Sequence, residues 1–169
     1  VQIARNGAEN IIIRDDVIEF AQDVDLREVY AHFWNTNTTT FNTTLTTLAI
    51  DSTFSSNNTG NPTLVGNIIE INKTATYKIE VEVTMDATNQ GTALTELYRD
   101  EGTGFNVVGG TSIYNYVSLD NYPTTAGMTK IMELNNGDKL AIRSIRNSGS
   151  TDISTEADGV RITITEMWD

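Results

Sequence analysis

Few residues of this chain could carry out acid–base or nucleophilic chemistry, and the sequence does not indicate a catalytic partner for them. The sequence has one histidine, His32, and no cysteine, which excludes a thiol nucleophile and a multi-histidine metal site. A catalytic histidine needs a group that orients it and a nucleophile in reach, and no spacing supplies either. No Gly-x-Ser-x-Gly motif occurs. His32 lies in Val29-Tyr-Ala-His-Phe-Trp-Asn, which indicates a histidine packed beside aromatic side chains.

Carboxylates are abundant, and one adjacent pair, Asp100-Glu101, is the strongest acidic candidate. Glycoside hydrolysis needs two carboxyl groups on either side of one bond, so a carbohydrate hydrolase remains a third hypothesis. No cofactor is predicted, and calcium is the one metal that the ligand chemistry leaves open. Its candidate ligands are in Asp23-Val-Asp and Asp100-Glu-Gly-Thr-Gly, although neither segment has EF-hand spacing. Overall, we predict that the protein is not an enzyme.

The charge of the chain excludes two classes of partner. Eleven basic and 23 acidic residues give a net charge of -12 over 169 residues. Such a surface repels phosphate backbones and anionic lipids, so we expect no nucleic-acid partner. We also expect no membrane insertion, because no apolar run approaches the roughly 20 residues that span a bilayer. The sequence begins at Val1, and whether a leader was removed before it stays open.

The elements that must position these side chains are short β-strands. Tyr77-Lys-Ile-Glu-Val-Glu-Val-Thr-Met alternates apolar and polar residues, which predicts a strand with one buried face. Val160-Arg-Ile-Thr-Ile-Thr repeats this pattern, and Lys139-Leu-Ala-Ile-Arg-Ser-Ile-Arg begins in the same way. Ile145 interrupts the alternation, which indicates a bulge or a turn to another sheet. The sequence therefore predicts a sandwich or jelly roll.

Two regions are open to other interpretations. Residues 15–28 fit either a helical turn, with Val17, Phe20, Ala21 and Val24 on one face, or a strand. The Thr/Asn-rich stretch 35–62 could be a disordered tether, but recurring apolar residues favour ordered strands and loops. We predict an attachment or assembly segment over 1–28 and a jelly-roll domain over 29–169.

Three segments resemble the tumour-necrosis-factor and complement globular-head jelly-roll family. Leu64-Val-Gly-Asn-Ile-Ile-Glu-Ile-Asn-Lys-Thr-Ala-Thr-Tyr resembles its strand, turn and Tyr-led central strand. Met132-Glu-Leu-Asn-Asn-Gly-Asp-Lys-Leu is similar to its Leu-x-x-Gly-Asp-x-Leu segment, and Asp158-Gly-Val-Arg-Ile-Thr-Ile-Thr-Glu-Met to its terminal strand. The family's usual Gly-x-Tyr is Ala75-Thr76-Tyr77 here, and collagen repeats and receptor-family cysteines are absent.

The resemblance implies an all-β fold, a two-sheet antiparallel jelly-roll sandwich that assembles as a homotrimer, preceded by the short N-terminal extension. It makes Tyr114, Tyr116 and Tyr122 candidates for the apolar contacts around a threefold axis. The same loop region, with Asp120, could instead stack on sugar rings and bind their hydroxyls. We therefore predict Tyr114, Tyr116, Asp120 and Tyr122 as ligand or interface residues.

Two functions follow from this resemblance and the composition. The first is a non-enzymatic virion structural protein that decorates a capsid or forms a fibre head on the virion exterior. Its partners would be itself and other virion proteins. The Asn/Thr-rich composition is similar to that of phage and algal-virus structural proteins. The alternative is an extracellular or cell-surface module, lectin-like or receptor-binding, that recognises glycans or a surface partner. Both are analogies from fold and composition.

Overall fold

A computed structural model describes residues 2–5, 8–14, 17–19, 30–55, 60–117 and 122–167. In the first three ranges, only the backbone is described. These ranges form β1 (Gln2–Arg5), β2 (Ala8–Arg14) and β3 (Val17–Glu19), which pair as an antiparallel three-stranded sheet in the order β1-β2-β3.

The remaining strands form two antiparallel sheets that pack face to face. The six-stranded sheet has the order β14-β10-β16-β4-β7, and β5 pairs with one end of β16. Its strands are β4 (Tyr30–Trp34), β5 (Thr40–Phe41), β7 (Ser52–Ser55), β10 (Ala75–Ala87), β14 (Thr124–Leu134) and β16 (Ile153–Glu166).

The seven-stranded sheet has the order β12-β11-β15-β9-β8, with β13 also paired to β11 and β6 also paired to β15. Its strands are β6 (Thr46–Thr47), β8 (Thr63–Val65), β9 (Ile68–Glu70), β11 (Gly91–Asp100), β12 (Phe105–Val107), β13 (Ile113–Val117) and β15 (Lys139–Gly149). The fold is thus the predicted all-β, two-sheet antiparallel sandwich.

The core lies between the two sheets and is built by the alternation read from the sequence. The inward residues of β10 are Tyr77, Ile79, Val81, Val83 and Met85, and each is at most 1% exposed. They face the equally buried Leu97, Leu140 and Ile142 of the other sheet and lie beside Val160, Ile162 and Ile164 on β16. Burying such side chains stabilises the fold by about 1.5–3 kcal/mol each.

A bulge in β16 is fastened to the end of β4 by one buried amide. The register between β10 and β16 shifts because residues 156–159 loop out of the ladder. The Asn35 amide nitrogen donates to Glu156 O at 2.7 Å, and its amide oxygen accepts from Val160 N at 2.7 Å. Asp158 has φ +57°, and a Cβ on Gly159 would meet Glu156 O at 2.9 Å. Glycine at 159 therefore permits the close approach that the bulge requires.

The structure decides in part between the interpretations of residues 15–28 and 35–62. Val17–Glu19 is a strand, so a helical turn that begins at residue 15 is wrong there; the rest of 20–28 lies outside the described residues. In the Thr/Asn-rich stretch, β5, β6 and β7 are ordered, and Phe41, Leu48 and Ile50 are buried. The recurring apolar residues of this stretch therefore predicted its ordered strands, and its polar composition did not indicate disorder.

Candidate functional site

The outer face of the seven-stranded sheet carries a row of apolar side chains. In β11, Ala93, Thr95 and Leu97 are buried, so Leu94, Glu96 and Tyr98 point away from the core. The register places Leu94 opposite Tyr114 on β13 and opposite Ile145 on β15. Tyr114, Leu94 and Ile145 are hereafter called the tyrosine row. The row explains why Ile145 departs from the expected alternation: it belongs to the outer face, and the register irregularity lies next to it, at Thr92 and Ala93.

An arginine held between two aromatic rings lies beside the tyrosine row. The guanidinium carbon of Arg143 is 4.9 Å from the ring centre of Tyr98 and 4.6 Å from that of Phe105. Such cation–π contacts contribute about 0.5–2 kcal/mol each, more where water is excluded. Burial, and next the charge of Glu96, raise the pKa of Tyr98. Because Arg143 Nε is buried and has no hydrogen-bond partner among the described residues, ring stacking is what holds this group.

Three of the four predicted site residues are described, and all three are exposed. Tyr114 is 61%, Tyr116 54% and Tyr122 70% exposed, whereas Asp120 lies outside the described residues. Tyr114 and Tyr116 share the outward face of β13, and Tyr122 precedes β14. Their role as ligand or interface residues stays a prediction.

A buried asparagine between the two tyrosines fixes their strand to the opposite sheet. Asn115 is 1% exposed, and its amide nitrogen donates to Val83 O at 3.1 Å and to Thr124 O at 3.0 Å. These bonds join β13 to β10 and to the start of β14 along one side of the sandwich. They hold Tyr114 and Tyr116 on a rigid edge rather than on a free loop.

The outer face of the six-stranded sheet is more polar, although the exposed Phe54, opposite His32, and the exposed Ile131 also lie on it. The pairing places its outward residues in two rows that cross four strands. The first row is Gly127, Glu82, Arg161 and Trp34. The second row is Thr129, Glu80, Thr163 and His32. All of them except Trp34 line an open concavity of about 510 Å³, and a neighbouring one of about 430 Å³ is lined by Trp34 and Asp158.

His32 is packed as its sequence neighbours predicted. Its ring stacks on Trp34 with 5.6 Å between centroids, and its Nδ1 lies 3.0 Å from Thr163 Oγ1. Burial, followed by the positive charge of Arg161, lowers the pKa of His32, and Glu82 acts in the opposite direction. This environment therefore favours the neutral imidazole. The hydroxyl of Thr163 is the one hydrogen-bond partner of its ring among the described residues, so no orienting carboxylate is present there.

The acidic pair Asp100-Glu101 is engaged in other contacts. Asp100 Oδ1 accepts from Gly104 N and Gly102 N, both at 2.8 Å, and these bonds lower the pKa of Asp100. Glu101 pairs with Arg99 at 2.8 Å. An ionised, acceptor-only carboxylate cannot serve as a general acid at neutral pH.

The metal question stays open. Within the described part of the chain, no group of three or more His, Asp or Glu side chains is placed to hold an ion. Calcium at Asp100 remains a prediction, and Asp23 and Asp25 lie outside the described residues. No helix suited to crossing a membrane is found in the same part of the chain.

Sequence reasoning missed the arginine between its two rings and the buried ion pair of Arg99 with Asp138, which are 2.6 Å apart. Asp138 is the Asp of the Gly-Asp turn, and its carboxylate also accepts from Asn135 N at 2.6 Å. The Gly-Asp pair therefore marked the turn correctly. Nothing local to Arg143 or Arg99 indicates their distant partners.

Solved structures with the same architecture define the class of fold as a tumour-necrosis-factor-like jelly roll. Murine APRIL at pH 5.0 matches with a TM-score of 0.65 and 13% identity, over 83% of this chain and 100% of APRIL. Murine APRIL at pH 8.5 gives 0.64 and 12% over the same shares.

Eiger TNF from S. frugiperda matches with a TM-score of 0.58 and 16% identity, over 84% of this chain and 94% of its own. No protein-family model and no curated protein matches the sequence. At these identities the likeness establishes the fold, which is the one the sequence motifs predicted.

Proposed function

We propose that the protein is a non-enzymatic, receptor-binding module that acts outside the cell or at its surface as a homotrimer. The observation that carries the proposal is the tyrosine row, in which Tyr114 is exposed and Leu94 and Ile145 are half-buried, on a sheet of tumour-necrosis-factor-like fold. Aromatic side chains and arginine are enriched in the parts of protein interfaces that contribute most binding energy. Here both kinds of residue are adjacent and rigidly held.

The tyrosine row suits a protein partner because of its composition and its place on the sheet. Tyr114, Leu94 and Ile145 lie on three neighbouring strands, and Arg143 with its two rings lies beside them. Aromatic and aliphatic side chains that adjoin on an outer sheet face are typical of a contact with another macromolecule. The sequence also predicted Tyr114, Tyr116 and Tyr122 as threefold contacts; in this proposal Tyr114 belongs to the receptor contact, and Tyr116 and Tyr122 are the candidates for the contact with a neighbouring subunit.

Two measurements test this function separately. Light scattering of the purified chain should give three times the chain mass of 18.6 kDa, and a stable monomer at micromolar concentration would contradict the trimer. Fluorescently labelled protein should bind cell surfaces in a manner abolished when the cells are first treated with trypsin. The double variant Leu94→Ser/Tyr114→Ser should lose at least tenfold in this binding.

The matched control is Ile131→Ser, which removes a similarly exposed apolar side chain from the other sheet. It should bind as the unchanged protein does. Equal binding by the Leu94/Tyr114 variant and the control would overturn the assignment of the surface.

A virion decoration or fibre-head role is the second candidate. It rests on the Asn/Thr-rich, acidic composition, and the matched structures lend it no support. Fractionation of the source material distinguishes the two, because a virion protein sediments with a particle far heavier than a trimer.

A further inference from the structure

A groove on the outer face of the six-stranded sheet is a candidate for a second binding site. It lies on the side of the sandwich away from the tyrosine row. It consists of the two adjoining concavities, which share His32, Glu82 and Arg161. Their volumes, about 510 and 430 Å³, fall within the ~300–1,000 Å³ range of ligand pockets. Gly127 opens one side, because this outward position of β14 carries no side chain.

One wall of the groove is an aromatic platform. Trp34 and His32 are two residues apart on β4, and their rings stack with an interplanar angle of 28°. The bond of His32 to Thr163 fixes the orientation of the imidazole, and Trp34 is half-buried against it. A fixed aromatic face packs well against the C–H groups of a sugar ring. Both residues stand on a strand in the middle of the sheet, which makes the platform rigid.

The polar groups of the groove are a carboxylate and a guanidinium placed side by side without an ion pair. Glu82 and Arg161 are opposite each other in the register between β10 and β16. No salt bridge joins them, and Glu82 has no hydrogen-bond partner among the described residues. The Nε of Arg161 donates to Asp158 O at 3.0 Å, so its terminal nitrogens remain as donors. Adjacent hydroxyls of a sugar can donate to the carboxylate and accept from the guanidinium together.

The charged groups of the groove distinguish between anionic and uncharged ligands. The two carboxylates Glu82 and Asp158 outnumber the one guanidinium, Arg161, since Glu80 is already paired with Lys78 at 2.8 Å. This balance disfavours an anion such as a phosphate or a uronic acid. An uncharged polyol uses the acceptor and the donor alike and also needs the aromatic face.

We propose that this groove binds an uncharged saccharide, with one ring stacked on Trp34 and its hydroxyls bound by Glu82 and Arg161. The site is independent of the proposed receptor contact, because its residues lie on the opposite outer face. It is also separate from the tyrosine loop region for which the sequence predicted sugar binding.

The test begins with the full chain on an array of neutral glycans. The best free saccharide is then titrated while the ring resonances of His32 are followed by NMR, which single out the groove because His32 is the chain's one histidine. Saturable shifts of these resonances are expected. Tryptophan fluorescence in a Trp168→Phe background should change over the same concentrations, since Trp34 is then the remaining tryptophan.

The variants Glu82→Gln and Trp34→Ala should each weaken binding at least tenfold, and Trp34→Phe should restore part of it. Glu133→Gln, also on the six-stranded sheet but outside the groove, is the matched control and should bind normally. Absence of binding on the array, or binding that survives both groove variants, would overturn the proposal.

Tighter binding of spermidine than of any saccharide would also overturn it and would indicate a cation site instead. Trypsin-sensitive cell binding that persists in the Glu82→Gln variant would leave the receptor function standing while the saccharide site fails. If the Leu94/Tyr114 variant loses cell binding but the saccharide still shifts its His32 resonances, the saccharide site does not depend on the receptor contact.

Discussion

The two outer faces of the sandwich are made by the same alternation and yet present opposite surfaces. On the six-stranded sheet, the outward positions of β10 and β16 hold Glu82, Arg161 and Thr163. On the seven-stranded sheet, the outward positions of β11 and β15 hold Leu94 and Ile145. The inward residues of both sheets are buried and mostly apolar, with Thr95, Asn115 and Ser144 among the exceptions. The core therefore determines the fold, whereas the outward residues decide what each face can bind.

The largest difference in stability is expected between two substitutions on β4, one of an inward residue and one of its outward neighbour. Phe33 is fully buried on β4, so Phe33→Ala should lower the free energy of unfolding by about 3–5 kcal/mol. His32→Ala, one residue away on the outer face, should cost less than about 1 kcal/mol. Urea unfolding followed by circular dichroism measures both. Similar losses in the two variants would mean that the polar face contributes to folding and is not a free surface.

The bulge beside the groove gives the next largest effect. Asn35→Ala removes an amide that bonds Glu156 O and Val160 N, and buried backbone groups then lack partners. A loss of about 2–3 kcal/mol in unfolding free energy is expected. The exposed Asn37→Ala is the control and should lose less than about 1 kcal/mol. An unchanged stability in Asn35→Ala would show that the bulge does not depend on this amide.

The arginines of the two faces provide a direct comparison. Arg143→Gln should lower the unfolding free energy by about 1–2 kcal/mol, because two ring contacts are lost. Arg161→Gln removes a groove residue without an ion pair and should cost less than about 0.5 kcal/mol. Thermal unfolding of both variants under one set of conditions decides the order. The reverse order would contradict the assignment of Arg143 as the structural arginine.

The smallest effect is the titration of His32. Because its folded pKa is lowered, folding favours the neutral ring, and this contribution is present above the unfolded pKa near 6.5. It declines as the pH falls from 6.5 through the folded pKa. An NMR titration should place the pKa of His32 below 6.5. Arg161→Gln should raise it and Glu82→Gln should lower it further; shifts of opposite sign would contradict the described arrangement of these charges.

The strands and the core could be predicted from the sequence, and the reason is local. Tyr77 to Met85 alternate without interruption, and Ala31 and Phe33 alternate with His32 and Trp34, so their buried faces followed directly from the pleat. The Gly-Asp turn before β15 was equally recognisable, since Gly137 has φ +93° and Asp138 N bonds to Asn135 O.

The binding surfaces could not be predicted in the same way, because they depend on which strands become neighbours. Leu94 and Ile145 are ordinary strand residues until the register joins them to Tyr114. Glu82 and Arg161 likewise share a groove through pairing between distant strands. Tyr114 and Tyr116 were predicted through the family resemblance, whereas nothing in the sequence indicated Leu94 and Ile145 as the neighbours of Tyr114.

The central position of β16 has a consequence for how the chain acquires its fold. This strand comes last in the described sequence but lies between β10 and β4, and the bond from its Val160 N to Asn35 Oδ1, just after β4, joins residues that are 125 positions apart. A ribosome must therefore release nearly all of the domain before its six-stranded sheet can close. Folding of such a topology is expected to be slow, on the order of milliseconds to seconds. Until then β4 and β10 each present an unpaired edge, which is the kind of edge that can pair with another chain.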